Sequence, residues 1–156
     1  METMKLAAAL IMRKELRQKL NELAMRIGNN AISQEGDEPL ENPNELLRQL
    51  QDANQELIGL VQAINRTNMT VRMPDGRTIA DALAERDGLI RMVRYMRDIA
   101  DKAAVEQVRY SLTEIRQVSR IDAADVQARI DRMAERARRL DLAIQELNWT
   151  TDLVVG

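Results

Sequence analysis

The sequence predicts an all-α fold, and three observations carry that expectation. Four long segments repeat their apolar residues every three or four positions, the spacing that lines side chains up on one face of a helix. Aromatic residues make up only 2% of the 156 positions and Phe is absent, so a core must be built from Leu, Ile, Ala, Val and Met, which suit close helix–helix packing. Alternating patterns are confined to two short stretches. The expected arrangement is a single helical domain spanning 1–156, an antiparallel four-helix bundle or paired long helical hairpins, with one small β-hairpin near 70–79.

The first helix is expected over about 3–27, where Leu6, Ala9, Leu16, Leu20, Leu23 and Ile27 form a seam that also includes Arg13. Residues 28–42 break the pattern with two Gly, one Pro, four carboxylates and no basic residue, and read as an acidic loop. Asn42-Pro43-Asn44-Glu45 then supplies an N-cap, a Pro at the first helical position and an acid in the first turn. The second helix follows over 43–64, and its seam of Leu46, Leu50, Ala53, Leu57, Leu60 and Ile64 alternates steps of four and three without a miss.

Between Asn65 and Ile79 the period changes: Val71 to Met73 and Arg77 to Ile79 flank Pro74-Asp75-Gly76, a pattern that reads as a hairpin. Thr78 followed by Asp81 resembles a capping box for a third helix over 79–104, with Arg86 as a polar member of its seam. The segment 105–121 mixes β-branched and polar residues without a clean period and is expected to be an extended crossover. Asp122 and Asp125 open a fourth helix over 122–147, seamed by Val126, Ile130, Met133, Ala137, Leu140, Ile144 and Leu147, and Trp149 is expected to dock the tail.

Composition excludes much familiar chemistry. With no Cys and no His, thiol nucleophiles, disulfides, Cys/His zinc sites and imidazole acid–base catalysis are all ruled out. A net charge of −2 argues against a dedicated nucleic-acid binder. The apolar runs are too short to span a bilayer and no secretion signal is recognisable, so the chain is expected to be cytoplasmic and no membrane partner is expected.

Several clusters invite a functional reading beside a simpler one. Arg129, Arg132, Arg136 and Arg139 make a basic stripe, but exposed pairing with neighbouring acids explains such positions at little energy per pair. Asp98/Asp101 and Asp122/Asp125 have the spacing of metal-binding acid pairs, yet no Glu-x-x-His motif accompanies them and the second pair fits a helix cap. No metal, cofactor or catalytic residue is therefore assigned. The most unusual stretch is Asn65, Arg66 and Asn68 followed by Asp75 and Arg77. With Arg109, Tyr110 and Trp149 it could line a polar ligand pocket at one end of the helices, while capping and turn formation are the simpler account.

At these same stretches the chain resembles the septicolysin-like family of small bacterial proteins of unknown function. The resemblance rests on Met4-Lys-Leu-Ala7, Gln34-Glu-Gly-Asp-Glu-Pro39, Ile64-Asn-Arg-Thr-Asn68, Asp75-Gly-Arg-Thr78, Ala82-Leu-Ala84, Arg86-Asp87, Arg109-Tyr-Ser111 and Asn148-Trp-Thr-Thr151. It spans nearly the whole chain and implies a mainly helical bacterial protein with no established catalytic residues. The family's name implies membrane lysis.

The function read first from the sequence is a non-enzymatic protein that self-associates into a homo-oligomer, because Leu10, Leu83, Ile90, Met92 and Ile99 widen the apolar stripes beyond a strict seam. The alternative is a ligand-binding protein or enzyme using the polar site, with an unidentified small molecule. A membrane-active, septicolysin-like protein is the second alternative.

Overall fold

The computed structural model describes residues 3–104 and 115–156, and among them the only regular elements are four helices: α1 (Leu6–Asn30), α2 (Pro43–Thr70), α3 (Ile79–Ala103) and α4 (Ala123–Thr150). The chain divides into two compact units, one made of 1–79 and 145–156, the other of 80–144. The all-helical expectation holds, and each unit contains one antiparallel helix pair.

In the first unit α1 and α2 pair along their seams. Leu23, Leu46 and Ala53 form a buried cluster, and Leu20, Ile27 and Leu50 pack against it. Because the end of α1 meets the start of α2, the intervening loop must fold back on itself. Arg26 on α1 supplies the cation the acidic loop lacks, with its Nε donating to Glu41 at 3.0 Å. Asn30 ties down the helix end: its amide nitrogen donates to the Arg26 carbonyl at 2.8 Å and its amide oxygen accepts from the Glu41 backbone at 3.0 Å. That bonding carries α1 through Gly28-Asn29-Asn30, three residues beyond the sequence expectation. Asn42 caps α2 as expected, its side chain accepting from the Asn44 amide at 3.0 Å.

α2 runs to Thr70 instead of stopping at Ile64. Two threonines make the extension possible by turning their hydroxyls back to the helix: Thr67 donates to the Ala63 carbonyl and Thr70 to the Arg66 carbonyl, both at 2.8 Å. Buried Thr67 follows Ile64 by three, so it occupies the next seam position.

The expected β-hairpin near 70–79 is not formed. α2 ends at Thr70 and α3 begins at Ile79, and Pro74-Asp75-Gly76 makes the turn between them, so too little chain remains for two strands. What remains is a single antiparallel bridge, Arg72 to Thr78, with Met73 donating to Arg77 at 2.7 Å and Ile79 to Val71 at 3.1 Å. Gly76 has φ +90, a conformation glycine adopts without steric cost. Met73 and Ile79 are buried on either side of it.

In the second unit Val93 on α3 packs with Val126 and Ile130 on α4, joined by Met96, Ala100, Met133 and Ala134. Arg86, the polar seam member of α3, is accommodated by a 2.9 Å ion pair to Asp141 on α4 and a 3.1 Å contact to its neighbour Asp87. Asp122 caps α4, accepting from the Ala124 and Asp125 amides at 2.9 and 3.1 Å. Residues 115–121 are non-helical and exposed, and the remainder of the expected crossover, 105–114, lies outside the described residues.

Candidate functional site

The polar stretch singled out in the sequence occupies two local structures. Asn65 and Arg66 are exposed on the last turns of α2, where with Gln62, Met69 and Thr70 they line a shallow groove of about 500 Å³. Gly156 lies over the Arg66 guanidinium, so close that a Cβ added there would stand 3.0 Å from Nη2. Asn68 is half-buried on the same helix.

Asp75 and Arg77 are brought together by the turn. The Asp75 carboxylate accepts from the Arg77 backbone amide at 3.0 Å, from its Nε at 2.9 Å and from Nη2 at 2.7 Å. Arg77, through its side chain first and its backbone amide second, holds the Asp75 carboxyl below the usual aspartate range. This arrangement fixes the turn that reverses the chain between α2 and α3. Trp149 sits on the last turn of α4 and is 62% exposed, so it does not dock the tail. Arg109 and Tyr110 lie outside the described residues.

The tail is docked by residues whose importance the sequence did not announce. Leu153 is 8% exposed and its amide donates to the Met4 carbonyl at 2.8 Å, while Leu6 donates to Thr151 at 2.9 Å. The Val154 amide donates to the hydroxyl of Thr67 at 2.8 Å. Lys5 Nζ closes the same junction from outside, 2.6 Å from Asp152 Oδ1. The Lys5 ammonium, and after it the Thr3 hydroxyl, lower the Asp152 carboxyl below its ordinary value. The two ends of the described chain are thus clasped over the end of α2. A threonine at a seam position was the one available sequence signal.

Three of the four arginines in the basic stripe of α4, and both acids of the Asp122/Asp125 pair, are engaged in local contacts. Arg129 bonds Asp125 at 2.9 Å and Arg139 bonds Glu135 at 2.7 Å, each one turn apart on α4, and Arg136 reaches Glu85 on α3. Asp122 is engaged as a cap and Asp125 as an ion-pair partner.

An apolar surface is left on α3. Met92, Tyr95 and Ile99 are 48%, 50% and 45% exposed, and steps of three and four place them on one face. The Arg94 guanidinium lies 5.6 Å from the centre of the Tyr95 ring, a cation–π contact that orients the ring on the surface. Ile90 is also exposed, but lies on a different side of the helix.

A family model described as "Family of unknown function (DUF6847)" matches residues 13–153. The chain belongs to the DUF6847 family. No curated protein matches it. A crystal structure from Corynebacterium diphtheriae, described as a functionally unknown conserved protein, is similar to it with 40% identity and a TM-score of 0.87, covering 98% of this chain and 100% of that one. A fold similar to that of this DUF6847 chain is therefore seen in a crystal structure of matching extent.

Proposed function

We infer that this DUF6847 member is a non-enzymatic interaction protein that self-associates through α3. The observation that supports this reading is the exposed row of Met92, Tyr95 and Ile99. Single apolar residues on a surface are ordinary, but three large ones in one row, with an aromatic at the centre and charges beside it, have the composition of an interface. Removing such a row from water favours association by roughly 25 cal/mol per Å² of apolar area, before the entropic cost of joining two molecules. The proposed compartment is the cytoplasm.

Light scattering across a concentration series reaching about 100 µM tests it. A weight-average mass rising toward twice the monomer's 17.8 kDa is expected. A mass that stays at the monomer value throughout overturns the proposal.

The groove beside Arg66 favours a second reading, the binding of a small anionic ligand on the outer face of α2. Titration with inorganic phosphate tests it: chemical-shift changes confined to Gln62 through Thr70 and abolished by Arg66→Ala support it, and none at millimolar phosphate overturns it. Kinship with the septicolysin-like proteins is also carried as a proposal, resting on the motifs quoted from the sequence.

A further inference from the structure

Beside the apolar row on α3 runs a strip of charge. At about 100° per residue, Gly88, Met92, Tyr95 and Ile99 fall within about 60° of one another around the helix axis. Asp87, Arg91, Asp98 and Lys102 fall within a second span of about 60°, immediately next to the first and on the side away from Met96, which packs toward α4. Arg91, Asp98 and Lys102 are exposed and make no ion pair among the described residues. Asp87 touches Arg86 at 3.1 Å and keeps a side-chain exposure of 57%.

The order of these charges along the chain is minus, plus, minus, plus. Reversed end to end it becomes plus, minus, plus, minus, so the strip is complementary to an antiparallel copy of itself. The registers agree as well. Arg91 and Asp98 are equidistant from the midpoint between Arg94 and Tyr95, and so are Asp87 and Lys102. One two-fold axis through that midpoint therefore sets Arg91 of one copy against Asp98 of the other and Asp87 against Lys102, each twice by symmetry. The same axis lays the two apolar rows together, and it brings Gly88 of one copy within about 3 Å, two residues along the helix, of the level of Ile99 in the other, leaving room there for that side chain. In an antiparallel helix pair the residues that meet at an edge come from the same edge of both helices, as this strip does. A parallel two-fold sets every residue level with its own copy and loses the complementarity.

We propose that two copies of this chain associate by antiparallel packing of α3 on α3, with the axis beside Tyr95 and ion pairs Arg91–Asp98 and Asp87–Lys102 fixing the register. This rests on the self-association proposed above and names its surface and geometry. The charged strip spans about 22 Å of helix, so the contact is small and its affinity is modest and dependent on salt.

The test is a charge-swap cycle read by sedimentation equilibrium at low ionic strength, with circular dichroism as the control for folding. Arg91→Glu and Asp98→Arg alone each turn two attractions into repulsions, and each is expected to weaken dimerisation about tenfold. The double variant Arg91→Glu/Asp98→Arg is expected to return within about threefold of wild type, because the pairs are remade with their signs exchanged. Asp87→Lys with Lys102→Glu gives an independent cycle with the same pattern. A wild-type dimer unaffected by the single swaps, or a double variant as weak as the two losses combined, overturns the antiparallel register while self-association stands. A wild-type protein monomeric at every concentration overturns both.

Discussion

The hydroxyl of Thr67, fully buried on α2, accepts a hydrogen bond from the backbone amide of Val154 at 2.8 Å across 87 residues of sequence. The same oxygen donates to the Ala63 carbonyl, so one hydroxyl satisfies its own helix and the tail together. Thr67→Val keeps the shape and leaves the Val154 amide without its acceptor, which is expected to cost about 1–3 kcal/mol. Thr67→Ser keeps both bonds and is expected to lose less. Urea denaturation of the three proteins checks the order, and the Val154 amide of the valine variant is expected to exchange with deuterium faster than in wild type.

Leu153, and not Trp149, is the residue that seats the tail. Leu153→Ala removes a buried side chain and is expected to destabilise the protein by about 2–5 kcal/mol, with Trp149→Ala staying within about 0.5 kcal/mol of wild type. Fluorescence gives an independent check, since Trp149 is the sole Trp and a side chain this exposed should emit as free tryptophan does and be quenched by iodide.

The junction between the two ends is expected to respond to acid. Asp152 is held below its ordinary value by Lys5, so its contribution is complete above the unfolded value of about 3.9 and is lost as pH falls through the lower folded value. Glu41 beside Arg26 and Asp75 beside Arg77 are shifted in the same direction. The thermal midpoint is therefore expected to fall on acidification below about pH 4. Asp152→Asn is expected to flatten part of that fall, measured by circular dichroism melts from neutral to acid pH.

Gly76 turns the chain between α2 and α3 at φ +90 with open space around it. An added methyl group meets no neighbour, so Gly76→Ala measures backbone strain alone, and a loss of about 1–2 kcal/mol in denaturant unfolding is expected.

The helical segments were legible because each buries its seam at a period the sequence repeats without ambiguity. Their ends were less so. α2 outruns its apolar pattern because Thr67 takes a seam position as a polar residue whose hydroxyl is satisfied inside, which periodicity alone registers as a break. The hairpin expected from Val71 to Ile79 had the right residues and too little chain, once the helices on either side had claimed theirs. Asp75 and Arg77 stood out in the sequence as candidate ligand-binding residues, and the structure bonds them to each other within the turn. Trp149 lost its expected role to a leucine four residues later, because the backbone pairing of the tail with the Lys5 segment decides which side chain faces inward. The exposed row on α3 was half legible: Met92 and Ile99 were noted as surplus to the seam, while Tyr95 between them and the charged strip beside them emerge only when exposure is known.

The resemblance read from the sequence motifs implies membrane lysis, and among the described residues no helix is long and apolar enough to cross a bilayer. Incubation with dye-loaded anionic vesicles is expected to release no more dye than buffer, and concentration-dependent leakage would favour the membrane-active reading instead.

Self-association through α3 is tested most directly by comparing wild type with Tyr95→Glu in sedimentation equilibrium. Glutamate puts a charge at the centre of the apolar row, at a half-exposed position where the monomer's own packing is little disturbed. Wild type is expected to show a reversible monomer–dimer equilibrium in the micromolar range, and Tyr95→Glu to sediment as a monomer with unchanged helix content. Equal association by the two proteins, or a wild type that remains monomeric up to about 100 µM, would contradict the account.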